Sequence, residues 1–167
     1  MGSGKTTAGI QVAEALGRQF VDNDVALERR AGRTAAQISA SDGVDALHRQ
    51  EAAELLAALA DPIGRVIAAA ASTVLDDTVR KRLAAVGWVV WLTADQATLA
   101  ARMPSSPDRP MLDADAARLV ARQSVERDPL YRSVADVEVS TDGQTPEMAA
   151  AAILHSLPES LHAGNQS

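Results

Sequence analysis

At 167 residues, with 47% hydrophobic and 23% charged residues and a formal net charge of −6, the chain suits one globular domain with a sizeable core. That acidic balance offers no basic face for generic nucleic-acid or membrane-surface binding, and Phe20, Trp88, Trp91 and Tyr131 leave little for base stacking. The chain has no cysteine, which excludes disulfides, thiol catalysis and cysteine-ligated zinc; His48, His155 and His162 are too scattered for a metal site, and the expected location is the cytoplasm.

The opening Met1-Gly2-Ser3-Gly4-Lys5-Thr6-Thr7 reads as most of a phosphate-binding loop. Gly2 and Gly4 let backbone N–H groups crowd around a polyphosphate, Lys5 reaches its outer phosphates, and the Thr6 hydroxyl is set to ligate Mg²⁺. The helix predicted over 6–16 aims its N-terminus at the same anion, and Gly17 stops it. A short strand over 19–22 runs into Asp22-Asn23-Asp24, where open parallel sheets put their chemistry. Asp24 is expected to cap a helix closed by Gly32, with Thr34 opening a short one to Ile38 and a longer helix over 42–60.

Residues 65–70 read as a buried parallel strand, followed by a helix over 75–86. Residues 88–92 form the clearest strand, with Thr93 capping a helix over 94–103. Residues 104–110 are rich in proline and carry a lone Arg109, so the stretch 103–112 reads as a mobile lid. A helix over 114–127 is expected to end before Pro129, then a strand over 137–140, a helix over 146–157 and a frayed tail over 158–167.

Strands alternating with helices imply an α/β fold: a parallel sheet with helices on both faces, as one domain over 1–157. A phosphate-binding loop follows a strand, so one central strand is missing from the count, and its loss would leave two edges open in mid-sheet. The glycine that opens the usual pattern would also fall upstream of Met1. The expectation is that Met1 is an internal residue of a longer natural chain.

With those elements in place the chain resembles the shikimate kinase family, small P-loop kinases of three-layer architecture. The resemblance runs in register from Met1 to about Leu157. It rests on Gly-Ser-Gly-Lys-Thr-Thr, on Phe20-Val21-Asp22-Asn23-Asp24 with Glu28 and Gly32-Arg33, and on Asp42-Gly43. Arg109-Pro110-Met111-Leu112 and Arg127-Asp128-Pro129-Leu130-Tyr131 complete it. It implies that Gly2, Ser3, Gly4, Lys5, Thr6 and Thr7 hold ATP with Arg109 from the lid. Thr6 and Asp22 would hold Mg²⁺, the latter through a bound water. Asp24 would orient or deprotonate the attacking hydroxyl, and Arg127 would pair with the acceptor's carboxylate.

The acceptor half departs from the family. Leu47-His48 stands where an aromatic and a substrate-contacting arginine are expected, with Arg49 next along, and Arg49 or His48 is expected to substitute in part because both can donate to a carboxylate. Ala70-Ala71-Ser72 replaces three glycines, and the added side chains remove close approach. Ala68 lacks a hydroxyl that members often carry near the metal. The reading is an ATP- and Mg²⁺-dependent kinase, expected to be a monomer, acting on a small anionic metabolite with shikimate the best candidate. Two others stay open: a nucleotide-binding paralogue with weak or no kinase activity, and a kinase for another polyhydroxy acid such as gluconate.

Overall fold

A computed structural model describes residues 2–103 and 113–162. Along the first half run α1 (Lys5–Ala15), β1 (Gln19–Asp22), α2 (Asn23–Ala31), α3 (Ala35–Asp42), α4 (Val44–Ala60) and β2 (Arg65–Ala68). After a 3-10 turn at Thr73–Leu75 come α5 (Asp77–Val86), β3 (Val90–Thr93), α6 (Gln96–Ala101), α7 (Asp113–Val134), β4 (Val137–Ser140), α8 (Pro146–Ser156) and α9 (Glu159–His162).

The helix starts follow side-chain chemistry, with some corrections to the expected caps. Asp22, not Asp24, caps α2: its carboxylate accepts from the backbone N–H of Asp24 and of Val25. Asp22 keeps the extended backbone that a cap needs, whereas Asp24 already lies in the first turn. Thr34 opens α3 through a capping box with Gln37, and the helix runs on to Asp42, where Gly43 at φ 90° separates it from α4. Asp76 caps α5, while Thr93 stays in β3 and Asp95 takes the N-cap position of α6.

Pro129 does not end α7, which continues to Val134. A proline ring removes the hydrogen bond to the residue four earlier, here Val125, which is 80% exposed, so water can serve that carbonyl. Beyond Pro129 the helix is held by Tyr131, whose hydroxyl donates to the Ala71 carbonyl at 2.7 Å and whose ring stacks on Trp91 at 5.5 Å. The tail expected to fray from Pro158 begins instead with α9, anchored where Arg18 Nη2 donates to the Leu161 carbonyl at 3.1 Å.

The strands pair in parallel, two and two. Gln19 to Asp22 lie opposite Arg65 to Ala68, and Val90 to Thr93 lie opposite Val137 to Ser140. The expected single sheet is therefore in two halves, with β1 and β2 on one side and β3 and β4 on the other. Helix α1 bridges them: Ala8, Val12 and Leu16 pack with Val139 of β4 and Ala149, Ala150 and Ile153 of α8, and Val66 of β2 packs against that cluster. Leu55 and Val79 form a second core beneath α4 and α5, and Leu27, Ile38 and Leu47 a third among α2, α3 and α4. Among the described residues no helix is long and apolar enough to cross a membrane.

Candidate active site

Parallel pairing brings the carboxyl ends of β1 and β2 together, and the head of α1 lies at that end of the molecule. Gly2 and Gly4 sit at φ 75° and 81°, the left-handed region that favours glycine. A side chain on Gly2 would also press its Cβ to 3.0 Å from the Leu99 carbonyl oxygen. Gly4 is the N-cap of α1 and offers no side-chain hydrogen bond, and the first turn has no acidic residue. The helix thus leaves its first amides, with their partial positive charge, for an outside anion. Arg102 steadies the loop from across the site, donating to the Thr141 hydroxyl and carbonyl at 3.0 Å each and to the Gly2 carbonyl at 3.5 Å.

The Thr6 hydroxyl donates to Asp22 Oδ2 at 2.8 Å, while Asp22 Oδ1 accepts from the Asp24 and Val25 amides at 3.0 and 3.3 Å. One carboxylate therefore ties the head of α1 to the head of α2. Burial lowers the pKa of Lys5, and the nearby carboxylates of Asp24 and Asp22 oppose that shift. For Asp24, burial of the carboxyl within the cleft raises the pKa first, the charges of Asp22 and Glu28 add to it, and Lys5 pulls the other way. Asp24 as a whole residue is open to solvent, so its titration is accessible from outside.

A second polar cluster lies behind α2. Asn23, only 1% exposed, donates from Nδ2 to the Glu51 carbonyl at 3.2 Å. The buried Glu51 carboxylate accepts a hydrogen bond from the Ser72 hydroxyl. Burial raises the Glu51 pKa, the Ser72 bond opposes it, Asp24 adds to it, and His48 and Arg127 counter it. Arg127 is 8% exposed, its Nε has no hydrogen-bond partner among the described residues, and the Glu126 carboxylate stands beyond bonding distance at 3.6 Å.

Arg49 is not brought into this cluster. It is exposed on α4, while His48, three residues before Glu51 and so on the same helical face, is half-buried and acts on that carboxyl. Of the two expected cations, His48 is the one placed beside the Glu51 carboxyl. Arg109 and all of the expected lid over 103–112 except Met103 lie outside the described residues. Glu51 and Arg102 went unassigned in the sequence. An acid among the leucines of α4's buried face was the available signal for Glu51, because such a group is seldom buried unpaired.

The family model for shikimate kinase matches residues 1–158. The chain belongs to the shikimate kinase family. A shikimate kinase of Symbiobacterium thermophilum is 38% identical over 162 residues, 95% of this chain and 92% of the relative. One from Vibrio cholerae is 34% identical over 162 residues, covering 96% of this chain and 92% of the relative. The structure of shikimate kinase from Acinetobacter baumannii in complex with shikimate superposes with a TM-score of 0.86 at 30% identity, covering 93% of this chain and 87% of that one.

As a member of the shikimate kinase family the chain is an ATP-dependent phosphotransferase that uses Mg²⁺. The residues present fit both groups. The uncapped head of α1 suits the phosphates. Thr6 and Asp22 offer hard oxygens 2.8 Å apart, and among the described residues no group of three or more His, Asp or Glu forms an all-protein metal cage. Mg²⁺ ordinarily takes one or two carboxylates and completes its shell with phosphates and water.

Proposed function

We propose that this chain transfers the γ-phosphoryl group of ATP to a hydroxyl of shikimate, in the cytoplasm and as a monomer built on one domain over 1–157. The Thr6–Asp22 hydrogen bond of 2.8 Å carries the reading, because it holds a hydroxyl and a carboxylate at the anion-binding head of α1 with Asp24 just beyond. The amides of Gly2, Ser3, Gly4, Lys5, Thr6 and Thr7 would cradle the phosphates, with the Lys5 ammonium against their outer oxygens. Thr6 and Asp22 would hold Mg²⁺, which when bound supplies charge neutralisation across the phosphoryl oxygens.

Asp24 orients the attacking hydroxyl and accepts its proton, a task suited to a carboxyl whose pKa is raised. Arg127 pairs with the acceptor's carboxylate; its buried Nε is a donor that the described fold leaves over. Arg109 keeps the nucleotide contact that the resemblance implies. Phosphoryl transfer asks for positioning and charge more than covalent chemistry, and these groups provide both.

The Glu51–Ser72 bond and the alanines before it favour a second acceptor reading, another polyhydroxy acid such as gluconate, since side chains occupy ground that glycine would leave clear. Titration with MgATP and shikimate, then gluconate, tests both. Shikimate-dependent ADP release is expected, and Arg127→Ala should raise the acceptor KM by about tenfold or more with the ATP KM nearly unchanged. Turnover with gluconate alone would move the assignment to the second acid. ATP binding without transfer to either would overturn both.

A further inference from the structure

A buried arginine hangs on several rotatable bonds, so something besides its backbone must aim its guanidinium. Arg127 is such a residue, 8% exposed and with no partner for its Nε among the described residues. Beside it, the segment after β2 carries two polar anchors at consecutive residues. Ala71 accepts from the Tyr131 hydroxyl at 2.7 Å, and Ser72 donates to the buried Glu51 carboxylate. Burial raises the pKa of the Tyr131 phenol and of the Glu51 carboxyl, and the Arg127 charge opposes the rise in each. The guanidinium is therefore within reach of both anchors.

Of the two, Tyr131 is the one built to aim it. It stands four residues after Arg127, one turn further along the same face of α7. Its ring stacks on Trp91 at 5.5 Å with the planes 24° apart, and the Arg132 guanidinium lies 5.2 Å from the centre of that indole. The ring being held, the hydroxyl has a fixed place. It gives its single proton to the Ala71 carbonyl, which leaves the oxygen's lone pairs facing outward as acceptors. A guanidinium only donates, so the two groups are complementary. Pro129 falls between them and lacks the N–H that would bond the Val125 carbonyl, so this turn of α7 leans on the phenol in place of its own ladder.

We infer that, given the acceptor role proposed for Arg127, Tyr131 is a positioning residue: its hydroxyl holds the Arg127 guanidinium against the segment over 70–72, so that the fork is already aimed when the acceptor's carboxylate arrives. A cation fixed beforehand does not have to be ordered at binding. The benefit falls on acceptor affinity and not on the transfer step, because the carboxylate is held alike before and during transfer.

The test is Tyr131→Phe, which removes the hydroxyl and keeps the ring on Trp91. With MgATP and shikimate, the acceptor KM should rise about tenfold, with kcat within about threefold and the ATP KM nearly unchanged. In an Arg127→Ala background the same change should move the acceptor KM by less than about twofold, because the cation it serves is gone. A hydroxyl that merely ties α7 to the neighbouring segment would raise the KM by the same factor in both backgrounds. That result, or no rise in the Arg127 protein, would overturn the inference. The guanidinium gives a second readout that needs no acceptor. In nuclear magnetic resonance of protein carrying isotope-labelled arginine, rotation of Arg127 about its Nε–Cζ bond should be about tenfold faster in Tyr131→Phe than in the unaltered chain. Equal rates would overturn the inference whatever the kinetics showed. Should Arg127→Ala leave the KM for shikimate unchanged, the acceptor assignment fails by itself, and the rotation rates still decide whether Tyr131 aims the guanidinium.

Discussion

Asp24 shows how one side chain can trade stability for chemistry. Burial and the charges of Asp22 and Glu28 raise its pKa, so the folded protein binds that proton more tightly than the unfolded chain does. The sign follows from linkage: the stabilising contribution of Asp24 is fully present below its unfolded pKa and is lost as pH rises through its folded pKa. At neutral pH the ionised carboxylate is therefore a net cost to the fold, and the role proposed for it requires that form, because a proton acceptor must be ionised to work. Asp24→Asn should lower kcat by about 10²- to 10⁴-fold while ADP affinity holds, and its melting temperature at pH 7 should be higher than that of the unaltered protein. The acid limb of the kcat profile should lie above the ordinary carboxylate range. A variant that melts lower at pH 7, or a limb at the ordinary aspartate value, would show that this carboxyl is neither crowded nor the base.

At the scale of the element, Asp22 serves two helices at once, and the two services can be separated. Asparagine caps a helix about as well as aspartate but is neutral, whereas alanine removes cap and charge together. Asp22→Asn should therefore keep α2 and weaken the Mg²⁺ dependence of turnover by about 10- to 100-fold. Asp22→Ala should do that and also lose about 0.5–2 kcal/mol in denaturant unfolding. Equal stability of the two variants would mean that α2 does not depend on this cap. Helix α7 poses the converse case, in which an unfavourable residue is retained. Pro129 sits in the interior of a helix that Tyr131 fastens to the segment after β2 through Ala71, and Val125, whose carbonyl the proline leaves without its helical donor, is exposed. Pro129→Ala should restore a hydrogen bond and stabilise the protein by about 1–3 kcal/mol in urea titration. A loss of stability there would mean that the proline shapes the helix rather than merely being tolerated.

Across the whole molecule, what could be read from the sequence was whatever local chemistry fixes. Gly-Ser-Gly-Lys-Thr-Thr specifies a loop and a helix head by itself, and Trp88-Val89-Val90-Trp91-Leu92 reads as a strand, trimmed in the structure to begin at Val90. The reach of α7 past Pro129 was hidden because a tertiary contact, Tyr131 to Ala71, overrides a local rule. The Glu51–Ser72 pair was hidden because its members stand 21 residues apart on different elements, and only folding makes one the partner of the other. The same dependence on long-range packing divides the core. Leu27, Ile38 and Leu47 form a cluster of their own under α2 and α3, distinct from the cluster that α1 shares with α8. Asp24 belongs to α2, so the carboxyl proposed as proton acceptor rides on the smaller core while the glycine-rich loop rides on the larger. Leu27 and Ile38 are both 0% exposed, and Leu27→Ala should cost about 2–5 kcal/mol locally. Native-state hydrogen exchange should then accelerate more than about 30-fold in α2 and α3 and little in α1 and α8, with the acceptor KM raised and ADP binding spared. Uniform acceleration through all four helices would show instead that the molecule opens as one unit, and that its acceptor half cannot be loosened without its nucleotide half.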